Sequence, residues 1–232
     1  KSGYAANVEK CETGPRPHDL SAAPTGELTE VHTPGLPGIE EVGKFMKVKP
    51  DRMLKTIVFS IDESEGKSFK WIIATVRGDH DVNEGKVKAM SGYNVALADD
   101  KAARAAGFAI GYVSPRTVNA VPGTLLLIDS DASLGGFWAS GSDKPDHHVK
   151  HFNWRREVGA VLDDAARVKV GDVRNAVEGD PSPRAEGAKL TTDRHRQSLC
   201  AARSHENPAR IRMLRQSSTP NMLLYAVPQL RP

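Results

Sequence analysis

Apolar and polar positions follow distinct rhythms along this chain of 232 residues. Ile39, Val42, Phe45 and Met46 recur at the spacing of one helix face, which predicts an amphipathic helix over Gly38–Lys47. Leu54–Ile61 and Phe69–Val76 are runs of β-branched and apolar residues and read as strands. The second run drives into Arg77-Gly-Asp-His-Asp-Val-Asn-Glu-Gly-Lys86. There Gly78 and Asp79 supply turn chemistry, and Asn83 is placed to cap a short helix reaching Met90. Val95–Ala98 reads as a short strand. Asp99 can cap a helix over Asp100–Ala106, and Gly107 can end it. Leu125–Asp129 and Val149–Asn153 read as further strands. Strands interspersed with helices predict an α+β (α/β mixed) domain around a mixed sheet.

Outside that stretch the periodicity fades, which divides the chain into three parts. Residues 1–33 are polar and rich in turn formers (Gly14, Pro15, Pro17, Pro24, Gly26) and read as a linker with a short ordered piece at Tyr4–Lys10. Residues 34–180 hold nearly all the regular pattern. Residues 181–232 are rich in Arg and Ser, with Asn221–Val227 the one stretch expected to form a strand or short helix.

Charge adds an asymmetry. Residues 184–232 hold nine Lys/Arg against three Asp/Glu, so the overall charge of +3 originates in the tail and the rest of the chain is net acidic. A basic tail attracts nucleic acid non-specifically, or serves only as a solvated extension. Hydrophobic residues make up 39% of the chain, enough for one core, and no apolar run approaches the ~20 residues of a membrane span. Cys11 and Cys200 lie far apart and suggest neither a disulfide framework nor a metal cluster. With no signal peptide in view, a cytoplasmic setting is expected.

Several residues carry candidate chemistry. Lys55 opens an apolar strand, where its ammonium could hold a phosphate at a cleft mouth or simply snorkel from a sheet edge. Gly111-Tyr-Val-Ser-Pro115 is a loop bracketed by glycine and proline, with N–H groups that could face a ligand. Asp129 ends a strand, the place for a site carboxylate or for a turn cap. Gly135–Gly141, with Phe137 and Trp138, mixes small and bulky residues and could wall a small pocket. Arg77, Asp79, His80 and Asn83 share one rim. His147, His148 and His151 invite a zinc reading, yet no cysteine or spaced carboxylate completes a tetrahedral set, so no metal or other cofactor is expected. No Gly-x-x-x-x-Gly-Lys-Ser/Thr, Gly-x-Gly-x-x-Gly or Gly-x-Ser-x-Gly motif occurs.

Taken in order, Tyr4–Lys10, Glu30-Val-His-Thr-Pro-Gly35, Lys55-Thr56, Arg77–Glu84, Gly111–Pro115, Asp129, His148 with Asn153-Trp154, and Asp172–Pro181 resemble bacterial-type prolyl-tRNA synthetase over about residues 2–187. The region resembled is the editing insertion, similar to the free-standing YbaK-type aminoacyl-tRNA deacylases. Tyr4–Lys10 and Glu178–Pro183 look like edges of the class II catalytic domain, whose aminoacylation core is not seen in this sequence. The resemblance implies a curved mixed sheet and hydrolysis of mischarged Ala-tRNA(Pro), without metal or covalent nucleophile. It implies that Lys55 holds the tRNA 3′ end and that Gly111, Tyr112, Val113, Ser114 and Pro115 form the loop against the aminoacyl group. Asp129 matches the strand-end aspartate and His148 the histidine bounding the side-chain pocket, with His147 and His151 as rivals. Trp138, Gly141, Arg77 and Asn83 are expected around the substrate. The implied partner is the charged acceptor end of tRNA(Pro), with the synthetase as a second partner and no membrane. Two other readings stand beside it: a free-standing deacylase for cysteine or serine on tRNA, and a non-catalytic fragment that only binds tRNA or a synthetase, marked by an occluded Lys55/Gly111 cleft. Beyond Gly187 the resemblance stops, which fits a tail translated out of frame; an intact reading frame encoding the same tail would contradict that.

Overall fold

The computed structural model describes residues 5–7, 9–13, 17–62, 68–177, 180–182, 185–193 and 197–202. In chain order its elements are β1 (Ala5–Asn7), β2 (Thr29–His32), α1 (Ile39–Met46), β3 (Leu54–Ile61), β4 (Trp71–Arg77), α2 (Glu84–Ser91), β5 (Val95–Leu97), α3 (Asp100–Ala106) and α4 (Thr117–Ala120). They continue with β6 (Thr124–Asp129), β7 (Trp138–Gly141), β8 (His147–Phe152), α5 (Trp154–Val158), β9 (Val168–Gly171), β10 (Pro181–Ser182), β11 (Ala185–Asp193) and β12 (Gln197–Ala202). The chain divides into two compact units, Pro15–Arg174 and Lys1–Gly14 with Asn175–Pro232.

The larger unit is built on a five-stranded mixed sheet in the order β5-β3-β4-β6-β9. β3 runs antiparallel to β4 and β5, while β4, β6 and β9 are parallel. Parallel strands need cover on both faces, which is why the strands at the centre read as near-continuous apolar runs. Successive residues then part to opposite sides of the pleat. Ile73, Leu126 and Ile128 join Leu54 and Val58 in one core, whereas Ile72, Ala74, Leu125 and Leu127 join Phe59 in the other. The first core is closed by a three-stranded antiparallel sheet, β2-β8-β7, through Trp138, Val149 and Phe152, with Trp154 behind them. The second is closed by Val87 of α2 and by Val173.

Caps fix the helix ends, at Asn83, Asp99 and Gly107 as expected and also at Gly92. The Asn83 side chain accepts from the Lys86 N–H at 2.9 Å and Asp99 from the Ala102 N–H at 2.9 Å, while Gly92 and Gly107 end α2 and α3 in the left-handed region. α1 spans Ile39–Met46 rather than Gly38–Lys47, because Lys47 turns left-handed at φ 54°. Its apolar stripe is only partly used: Val42 and Met46 are buried, but Phe45 is exposed. β4 starts at Trp71, not Phe69, and runs through Arg77, while β8 starts at His147 and stops before Asn153, whose side chain caps α5.

The segment read as a linker contributes β2, which pairs with β8 from Thr29↔Lys150 to His32↔His147. β2 is an edge strand with mostly exposed side chains, so it carries no apolar alternation. In the smaller unit β1, β12, β11 and β10 form an antiparallel sheet in that order. Regular structure therefore occurs at Ala185–Asp193 and Gln197–Ala202, where small and hydroxyl side chains give no periodic signal. Asn221–Val227 lies outside the described residues.

Candidate active site

A cavity of about 300 Å³ opens on the larger unit where β3, the entry to α1, the end of β5 and the 110–113 loop converge. Leu54, Thr56, Ile57 and Val58 of β3 form one wall, Pro37 and Ile39 another, and Leu97 and Ala98 a third. Gly111, Val113, Gly141 and His148 complete the lining. Lys55 borders this cavity and also a more open groove edged by Glu40, Glu41, Asp79 and Asp81. Its Nζ donates to Asp81 Oδ1 at 2.7 Å. The Lys55/Gly111 cleft is thus open rather than occluded.

The loop is shaped by close backbone approach. Gly111 sits at φ +94°, where other residues are strained, and a β-carbon there would stand 3.1 Å from Pro37 Cβ. Gly141 lies against the backbone of Tyr112 and Val113. Asp143 clamps the same loop: its carboxylate accepts from the Ser114 N–H at 2.6 Å, from the Thr117 hydroxyl and from Arg116 Nε at 3.2 Å, and its own N–H donates to the Tyr112 carbonyl at 2.9 Å. Burial pushes the Asp143 carboxyl above its ordinary range, and the Thr117, Ser114 and Arg116 donors oppose that push. The N–H groups of Gly111 and Val113 donate to no other described residue.

His148 is buried on β8, with Nδ1 2.7 Å from the Thr33 hydroxyl and its ring edge-on to Tyr112 at 5.4 Å between centroids. Burial, with a smaller contribution from neighbouring His147, lowers its pKa to about 4, so the ring is neutral near pH 7. The Tyr112 hydroxyl donates to Asp146 Oδ1 at 2.7 Å, and the same oxygen accepts the Gly35 N–H at 2.8 Å. The rival histidines lie elsewhere. His147 Nδ1 meets the Pro145 carbonyl at 2.8 Å and its ring packs on His32, while His151, at φ 59°, packs on Phe137.

The cavity brings together Lys55, Gly111, Val113, Gly141 and His148, with Tyr112 behind the last. Other expected site residues have different places. Asp129 is 1% exposed and away from the cavity, held by Arg174 at 3.3 Å and by the Asp131 and Val173 N–H groups. Removing one partner of such a buried pair costs about 3–5 kcal/mol. Trp138 is buried in the core between the sheets. Ser114 and Pro115 are buried and turn the loop into α4, where the Ser114 and Pro115 carbonyls accept the Thr117 and Val118 N–H groups. Asn83 is spent as the α2 cap, and Arg77 forks onto Asp79 at 2.6 and 2.9 Å. Thr33, Asp81, Asp143 and Asp146 hold the site and were not singled out for it by sequence, although Thr33 lay within the quoted stretch Glu30–Gly35 and Asp81 within Arg77–Lys86. Among the described residues no group of three or more His, Cys, Asp or Glu is arranged to hold a metal ion, and no helix is long and apolar enough to cross a membrane.

Fold and cavity together define an α+β domain with one lysine, Lys55, at the border of its cavity. A family model described as the aminoacyl-tRNA editing domain matches residues 33–157, more than half of the chain, and the chain belongs to that family. It is 34% identical over 191 residues to the proline–tRNA ligase of Bordetella parapertussis and 33% identical over 188 residues to that of Dehalococcoides mccartyi. Those alignments cover 81% of this chain but only 31% and 30% of the ligases, so the chain spans about a third of the relatives' length. A crystal structure titled hypothetical protein APE2540 superposes with a TM-score of 0.50 over 64% of this chain and 91% of that one, at 19% identity, a likeness of fold alone.

Proposed function

We propose that this chain hydrolyses the ester of mischarged tRNA, and that its substrate is alanine attached to tRNA(Pro). The observation that carries the reading is the small cavity with Lys55 at its mouth and a neutral imidazole in its wall. A volume of about 300 Å³ is at the low end of the roughly 300–1,000 Å³ of small-ligand sites. It can take an aminoacyl group with part of the terminal ribose, so the limit on side-chain size rests on the wall that His148, Gly141 and the 111–113 backbone form. A synthetic site for proline rejects the smaller alanine by only ~1–3 kcal/mol, so a second, size-limited site is where discrimination is recovered.

In this reading Lys55 holds a phosphate of the tRNA 3′ end as a point charge. The aminoacyl group enters the cavity, and its ester carbonyl faces the N–H groups of Gly111 and Val113, which stabilise the developing oxyanion. Water attacks the carbonyl carbon and the bond to the ribose oxygen breaks. A proton from the attacking water passes to the leaving ribose oxygen, which becomes the hydroxyl, and the amino acid departs as its carboxylate. Neutral His148, fixed by Thr33 and Tyr112, bounds the side-chain end without repelling the substrate's ammonium.

The size filter has a direct test. His148→Ala removes a ring from the cavity wall and is expected to raise hydrolysis of Pro-tRNA(Pro) relative to Ala-tRNA(Pro) by about 10-fold or more, the scale for one or two methylenes. Deacylation rates for both substrates, in wild type and variant, read it out. Unchanged discrimination would place the filter elsewhere. If wild type instead prefers Cys- or Ser-tRNA, the reading as a deacylase for those amino acids takes over.

A further inference from the structure

The Arg77–Asn83 turn holds one carboxylate with a single commitment. Arg77 and Asp79 are tied to each other. His80 is buried, with Nε2 3.3 Å from Asp131 Oδ2, and Asp131 in turn lies 3.1 Å from Arg174 Nη2. Val82 bridges to Arg174 through the backbone, and the Asn83 N–H donates to the Val173 carbonyl at 2.8 Å. The chain is therefore pinned on both sides of residue 81. The Asp81 side chain is nevertheless 79% exposed, and among the described residues its partner is Lys55, at 2.7 Å.

We infer that Asp81 is a built-in competitor of the tRNA phosphate for Lys55, which keeps the hold on the tRNA end weak enough to release product. This rests on the proposed role of Lys55 and adds a residue to it. An ammonium offers three donors and no acceptor, and carboxylate and phosphate oxygens meet it in the same way. With Asp81 in place an arriving phosphate must displace or share the carboxylate and bear its repulsion. Glu40 and Glu41, on the edge of the same groove, add to that repulsion. The competition has a use, because deacylated tRNA carries the same phosphates as the substrate. Uniform binding of both would slow release without speeding chemistry.

The scale is set by exposed ion pairs, whose weak coupling corresponds to a change of up to about fivefold. Asp81→Asn keeps the shape and removes the charge at an exposed position. In the full chain it is expected to tighten the Kd for uncharged tRNA(Pro) by about two- to fivefold and to lower the KM for Ala-tRNA(Pro) similarly. kcat should stay equal or fall. The gain should shrink as salt is raised. In a Lys55→Ala background Asp81→Asn should give a clearly smaller gain, because only the direct repulsion of the phosphate is then relieved. Unchanged or weaker binding in Asp81→Asn, or a gain of equal size without Lys55, would overturn the inference. If Lys55→Ala weakens binding while Asp81→Asn has no effect, only this inference fails. If Lys55→Ala leaves binding untouched, the role of Lys55 fails as well. Because uncharged tRNA binding is read directly, the test holds whichever amino acid is cleared, and matched thermal melts establish that the variants are folded.

Discussion

Replacing Lys55 with alanine is expected to lower deacylation of subsaturating Ala-tRNA(Pro) by about ten- to a hundredfold, the scale for losing a hydrogen bond to a charged group. The expectation follows from placement. Lys55 is the second residue of β3, whose neighbour Leu54 is anchored in the core while Lys55 itself is half-buried at the cavity border. The sheet thus fixes the base of the side chain, and the ammonium at its tip is the one cation lining the cavity among the described residues. The fold should be nearly indifferent to the change, because the pair with Asp81 is solvent-exposed and such pairs contribute ~0–1 kcal/mol. A large loss of rate at an unchanged melting temperature separates a substrate-binding role from a structural one. Lys55→Arg should recover only part of the rate, since a planar fork does not replace a point charge at the same reach.

The second large effect is expected from Gly141→Ala. A β-carbon at Gly141 would stand 2.2 Å from the Tyr112 carbonyl oxygen, 2.4 Å from its carbon and 2.7 Å from the Val113 carbonyl oxygen. These are backbone atoms, so no side-chain rotation relieves the clash. The loop cannot retreat freely either. The Asp143 clamp holds Tyr112 and Ser114, and Asp146 holds the Tyr112 hydroxyl. Overpacking of this kind costs about 1–3 kcal/mol. For a unit of this size that corresponds to a fall of roughly 2–12 °C in melting temperature. Whatever displacement does occur moves Gly111 and Val113, which line the cavity, so deacylation should fall even at temperatures where the variant is folded. Thermal melts paired with rate measurements below the transition test both halves of this expectation.

These residues also mark how far the sequence could be read. The central strands were legible because β4 and β6 are covered on both faces and leave continuous apolar runs. β2 and β7 were not, since a polar edge strand and a short Trp-Ala-Ser-Gly segment carry no alternation. The helix caps Asn83, Asp99 and Gly107 were legible because capping is local chemistry. Lys55, Gly111 and His148 emerged from the order of family-like segments, not from spacing, since only tertiary folding brings strand β3, a loop and strand β8 to one cavity. That Asp129 and Trp138 do not line the cavity was not legible, because a strand-end carboxylate and an aromatic among glycines say nothing about depth, and both are buried in the fold. Thr33, Asp81 and Asp143 stayed hidden because their partners lie 115, 26 and 29 residues away in the chain. The Arg77–Lys86 stretch, conspicuous as charged residues, resolves into a pinned turn whose most exposed carboxylate, Asp81, meets Lys55.

The central claim is hydrolysis of a small aminoacyl ester in a size-limited cavity. Its most direct measurement is the rate at which the purified chain releases amino acid from Ala-, Cys- and Pro-tRNA(Pro) under identical conditions. The account predicts rapid release of alanine, with proline retained at close to the uncatalysed rate. Equal rates for alanine and proline, or no release of any of the three, would contradict it.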